Sequence, residues 1–177
     1  FGVQASEPKI VEFLHHVGVQ ISDGEVSNLL IKDQESFHAE KDAMYEAGLR
    51  SSPWQQTDDT LTRVDGQNHH CHVVCNSVYS VYATMPNKDR LTVLDVLRNG
   101  RPRVFRLNAE ALGYLENVQM SQVARQTLQT WCSDEDVNEL AFLGWLDAQL
   151  PDLGQQQRKA IISAAAVAAY HVEKGSP

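Results

Sequence analysis

The chain has 177 residues, 42% of them hydrophobic and 21% charged, with 15 basic against 23 acidic side chains and a formal charge of −8. That balance excludes wholesale disorder and a bundle of membrane spans, and it argues against a protein whose whole surface coats nucleic acid. No apolar run reaches the roughly 20 residues of a bilayer span; the richest, Ile161 to Tyr170, is about half that and is mostly alanine.

Residues 1–50 read as helical. Ile10, Val11, Phe13, Leu14 and Val17 form one stripe, so a helix is predicted over Glu7–Val17, with Pro8 in its first turn and Gly18 at its end. Ser22 with Glu25 three residues on is a capping-box signature. The following helix is predicted to run from Asp23 to about Leu49 as one piece. Residues 54–84 switch to short runs rich in Val, Thr, Tyr and Cys. Strands are predicted over Trp54–Val64, His69–Cys75 and Val78–Thr84. Asp65-Gly66 is a strong hairpin turn signal, and Asn76-Ser77 a second turn. The product is an antiparallel three-stranded meander. Lys88–Arg98 follows as an amphipathic helix.

After a short extended piece at Val104–Leu107, the chain reads as helical to its end. Asn108 and Ser121 are predicted caps for helices over Ala109–Met120 and up to Trp131. Ser133 is predicted to open another helix, and Gln155–Glu173 forms the last. The three cysteines, Cys71, Cys75 and Cys132, are too few and odd in number for a disulfide framework. A reducing, cytoplasmic setting is therefore expected. The chain opens on Phe1 within sequence that already reads as structured, so a piece of a longer protein is expected.

Four constellations carry candidate chemistry. The first is the turn between the two leading helices, Gly18 to Leu30, which has the outline of a helix-turn-helix. Ser27 and Asn28 would reach base edges, and Lys32 would meet phosphate. Asp23 and Glu25 stand at the same helix start and oppose phosphate, so a purely structural hairpin is the competing reading. The second is His69-His70-Cys71-His72-Val73-Val74-Cys75. It looks like a zinc set, but on a strand Cys71 and Cys75 lie about 13 Å apart, too far to share one metal. Cys71, Val73 and Cys75 are expected to form a buried row, with His70 and His72 on the opposite face.

The third is Asp58-Asp59 inside a strand, where acids are depleted. Strand alternation lets only one of them face any given site, either as a metal ligand or as part of a solvated edge. The fourth is Arg98, Arg101, Arg103 and Arg106, with no acid between Asp95 and Glu110. Arginine suits phosphate contact, and a solvated basic loop is the competing reading.

The run Trp54-Gln-Gln-Thr-Asp-Asp-Thr-Leu-Thr-Arg-Val-Asp-Gly-Gln-Asn-His, followed by His72-Val-Val-Cys-Asn and by Lys88-Asp-Arg-Leu-Thr-Val-Leu-Asp-Val-Leu97, resembles the start of the catalytic domain in DDE transposases of the insertion sequence 66 type. The resemblance implies an α+β fold. An incomplete ribonuclease-H-like core, made of the meander plus one helix, would be flanked by the helical lead-in (1–50) and a helical insertion (108–177). The first half of the catalytic domain would occupy 51–107. It implies DNA transposition as the family function and transposon ends as the DNA partner. Asp58 would be the first catalytic and metal-binding acid, with Asp59 at the neighbouring acid position, and Mg2+ or Mn2+ would be the cofactor of the complete site.

The family's second Asp follows a hydrophobic strand, and its Glu lies further on. After Leu107 no such strand is predicted, and Asp134, Glu135 and Asp152 fall in helical or capping contexts. One carboxylate cannot hold two metals, so this chain alone is expected to be inactive. The alternatives are a non-enzymatic DNA-binding module and an interaction fragment that self-associates through an exposed strand edge.

Overall fold

A computed structural model describes residues 5–51 and 53–175 of the chain. It is α+β and divides into two compact units, residues 1–47 and 48–177. The outermost residues of the predicted lead-in and of the predicted insertion lie outside the described residues.

In the first unit, α1 (Glu7–His16) and α2 (Asp23–Ile31) pack as a hairpin that buries Val11 and Val26. Gly18 takes a left-handed φ of 86° after α1, which a side chain would strain. His15 Nε2 lies 2.8 Å from the Ile21 carbonyl and ties down the link. The capping box forms as expected. Ser22 Oγ accepts from Glu25 N at 3.2 Å, and Glu25 Oε2 accepts from Ser22 N at 2.9 Å. The single long helix predicted from Asp23 is in fact two, α2 and α3 (Glu35–Arg50). Asp33 turns left-handed at φ 55°, and the Gln34 side-chain amide donates to the Leu29 and Lys32 carbonyls, which α2 would otherwise leave open. The last residues of α3 belong to the second unit.

The second unit opens with the predicted meander. Strands β1 (Gln56–Val64), β2 (Gln67–Cys75) and β3 (Ser80–Met85) pair antiparallel in the order β1-β2-β3. Asp65 and Gly66 are both left-handed, at φ 49° and 76°, which is the primed turn that matches strand twist. The third strand starts two residues later than expected. Asn76 N donates to Tyr79 O, and the Asn76 carboxamide accepts from Val78 N, so the turn consumes Val78 and Tyr79. Helix α4 (Arg90–Leu97) follows and packs on β2.

The expected burial of the β2 rows is reversed. His72 and Val74 are the buried residues, whereas Cys71, Val73 and Cys75 are only half-buried. His72 is accommodated because its Nε2 lies 2.9 Å from the Asn87 carbonyl, so the ring is satisfied as it is covered.

The main core lies beyond the sheet. Helix α8 (Gln155–Lys174) is its spine, burying Ile161, Ala164, Ala165, Ala166, Ala168 and Ala169. Alanine on this face lets neighbouring backbone come close. Arg106 N donates to the carbonyl of Ala165 at 3.0 Å, beside the short strand β4 (Val104–Phe105). Around the spine stand α5 (Ala109–Tyr114), α6 (Gln122–Thr130) and α7 (Glu139–Gln149), with Phe105 stacked on Phe142 at 4.8 Å between ring centres.

Asn108 and Ser121 cap α5 and α6 as predicted. Ser133 does not open a helix. Its N–H goes to the Leu107 carbonyl, Val137–Asn138 forms strand β5 against β4, and Asn138 caps α7 instead. The core runs from Leu94 to Ala168, so residues of the 51–107 and 108–177 segments share it. Among the described residues no helix is long and apolar enough to cross a membrane.

Candidate functional site

Strand β1 places the two acids on opposite faces, as alternation requires. Asp59 pairs across β2 with His72 and so stands on the covered face. Its Oδ2 lies 3.3 Å from His70 Nδ1 and 3.6 Å from Lys88 Nζ. Asp59 is thus tied to β2 and to the segment before α4. Asp58 pairs with Val73, and through it with Tyr82, on the open face. It is exposed, and its Oδ1 accepts the N–H of Asp59 at 2.8 Å. Among the described residues the other edge of β1 carries no strand.

A carboxylate in that position is chemically available, because it supports no other part of the fold. It is also alone as a ligand. Among the described residues no group of three His, Cys, Asp or Glu side chains could hold a metal ion. One hard oxygen donor does not fit a two-metal centre, so the residues present do not fit the Mg2+ or Mn2+ site that the resemblance implies. The His69–Cys75 run gives no metal set either. His72 is committed to Asn87, His70 faces Asp59, and the cysteines lie on the opposite side of the strand.

The arginine run meets acids that are remote in sequence. Arg103 grips Asp95 with two prongs, Nε to Oδ1 at 2.7 Å and Nη2 to Oδ2 at 2.6 Å, and reaches Glu139 at 3.1 Å with Nη1. These contacts, the Asp95 hydrogen bonds foremost, raise its basicity further. Arg106 binds Asp136 at 2.9 Å. Arg98 and Arg101 share one carboxylate, that of Glu173, at 3.1 and 2.8 Å. Reading the sequence found the four cations but missed Asp95, Glu139, Asp136 and Glu173. Only the Asp95–Arg103 separation of eight residues was close enough to suggest itself.

On α2, Asn28 is exposed and Ser27 is half-buried; Lys32, the extended residue that follows the helix, is exposed. Glu25 is held below the usual carboxylate range by hydrogen bonds from the Ser22 backbone first and its hydroxyl second, so the start of that helix stays negative. No family model, curated protein or solved structure matches the chain.

Proposed function

We propose that this chain is part of a DDE transposase of the insertion sequence 66 type, serving DNA transposition, with Asp58 as the first acid of its catalytic set. The observation that carries the reading is an exposed carboxylate on the first strand of a three-stranded antiparallel meander that leads into a helix. A meander followed by a helix is what the resemblance implies for the opening of a ribonuclease-H-like core, and this order supports the reading. Among the described residues its carboxylate holds the neighbouring Asp59 N–H alone, which does not explain an acid in a strand.

Among the described residues Asp58 belongs to no group of three His, Cys, Asp or Glu side chains that could hold a metal ion, and its neighbour Asp59 points to the other face of the strand. Phosphodiester cleavage by two metals therefore needs carboxylates beyond Asp58, and no cleavage is expected of these residues alone. A purely DNA-binding module draws less support. Most of the arginine charge is matched internally, and α2 opens on acids.

The reading is tested first in DNA. The nucleotides after the codon for Pro177 should continue, in some frame, into an apolar strand ending in Asp and later a Glu. Their absence from all frames overturns the reading. The second test incubates the chain with element-end DNA and Mg2+. No cleavage is expected, and cleavage that vanishes in Asp58→Ala would show that the site is complete after all.

A further inference from the structure

We propose that Arg98 and Arg101 form an oxyanion site for a backbone phosphodiester of DNA, occupied in this structure by Glu173 as an internal carboxylate plug. DNA as the ligand rests on the transposition reading; the anion site itself rests on geometry.

Arg98 is 2% exposed, yet its guanidinium is poorly served. Nη1 donates to the Pro102 carbonyl at 3.1 Å. Nη2 stands 3.1 Å from Glu173 Oε2 but out of line for a hydrogen bond, and among the described residues Nε and Nη2 are buried without an acceptor. A buried cation normally has its donors filled, because leaving them open sacrifices hydration for nothing. Arg101 sits at the rim, with Nη1 2.8 Å from Glu173 Oε1 and Nε bound to the Arg98 carbonyl at 3.0 Å. Two guanidinium groups therefore converge on a single carboxylate, each facing a different oxygen.

The other two arginines differ. Arg103 is filled by two acids and Arg106 has one to itself. Of these four arginines, among the described residues, Arg98 and Arg101 share one carboxylate between two cations, and Arg98 alone has buried donors without an acceptor. A phosphodiester spreads one negative charge over two non-bridging oxygens, as a carboxylate does, so it can take the place of Glu173 on the two guanidinium forks. The site is closed on one side and open on the other: Arg98 is buried and the Tyr170 phenol, one turn before Glu173, is pushed up to about 12 by burial first and by the Glu173 charge second, while Arg101 and Glu173 are exposed. Glu173 is the penultimate residue of α8, beyond the alanines that build the core. Its side chain can leave without dismantling that packing.

The test uses the full chain and a labelled duplex of about 20 base pairs at low salt. Glu173→Gln removes the charge and keeps the shape. It should bind the duplex on the order of tenfold tighter than wild type, with a salt dependence steepened by about one phosphate per arginine. Adding Arg101→Ala should abolish the gain. Inorganic phosphate should raise the unfolding temperature of Glu173→Gln and not that of the double variant.

Equal duplex and phosphate responses in wild type and Glu173→Gln overturn the site and leave the Asp58 reading standing. A phosphate response without tighter duplex binding upholds the anion site and overturns DNA as its ligand. Should Glu173→Gln fail to fold, Glu173→Ala removes the carboxylate altogether, and the same tightening is expected of it; its absence overturns the proposal.

Discussion

Arg103 and Asp95 meet fork to fork across the end of α4, with both contacts under 2.8 Å, although eight residues separate them in the chain. This pair, with Glu139 on the third nitrogen, joins α4 to α7. Both side chains are more than two-thirds covered, so solvent screens the pair less than a surface bridge. Arg103→Ala should lower unfolding stability by about 2 kcal/mol. Arg103→Lys should recover only part of it, because an ammonium cannot present the planar fork. Urea denaturation of the two variants checks both statements.

Gly48 leaves no room for a side chain. A Cβ there would lie 2.6 Å from Tyr79 Cδ1 and 2.8 Å from Cε1 and Cγ. The ring cannot move freely, because its hydroxyl donates to Gln55 Oε1 at 2.6 Å. Gly to Ala inside a helix ordinarily gains about 1 kcal/mol. Here the clash reverses the sign, and Gly48→Ala should cost about 1–3 kcal/mol. In a Tyr79→Ser background the same change should become neutral or favourable, which a double-mutant cycle measures.

Asp89 caps α4, accepting from the backbone N–H and the hydroxyl of Thr92, both at 2.9 Å. The backbone bond is the main reason its carboxyl titrates below the usual range, while partial burial works the other way. A depressed carboxyl contributes stability above its unfolded pKa of about 3.9 and loses it as pH falls through the lower folded value. Asp89→Ala should therefore cost about 1 kcal/mol at pH 7. The gap to wild type should close below about pH 4. Unfolding curves at pH 7 and pH 3 would show whether it does.

Asp58 should be dispensable for folding. It is exposed on an open face, and a β-branched residue suits that strand better. Asp58→Thr should leave stability within about 0.5 kcal/mol of wild type or raise it slightly. Phe142→Ala, which empties a fully buried stacked position, should cost about 3–5 kcal/mol. A thermal scan that finds Asp58→Thr strongly destabilised would give the acid a structural role and remove the reason for assigning it a chemical one.

Local features were legible in the residues themselves. The capping box at Ser22, the caps at Asn108 and Ser121 and the Asp65-Gly66 turn each depend on neighbours within four residues, and each appears where the sequence places it; the three strands are present with shifted ends. The break at Asp33 and the loss of the Ser133 cap were not legible. One needed Gln34 to serve carbonyls of the helix before it, and the other needed Leu107 to claim the Ser133 N–H.

Sequence alone also determined that Asp58 and Asp59 part to opposite faces, because a strand has period two. Which face is covered, and so which acid is left open, was decided by α4 packing on the His72 row. The same holds for charge. The chain places four arginines in nine residues, but only the folding of α4, α7 and α8 against one another brings Asp95, Glu139 and Glu173 to them. Coulomb energy depends on distance in space, and separation along the chain does not report it.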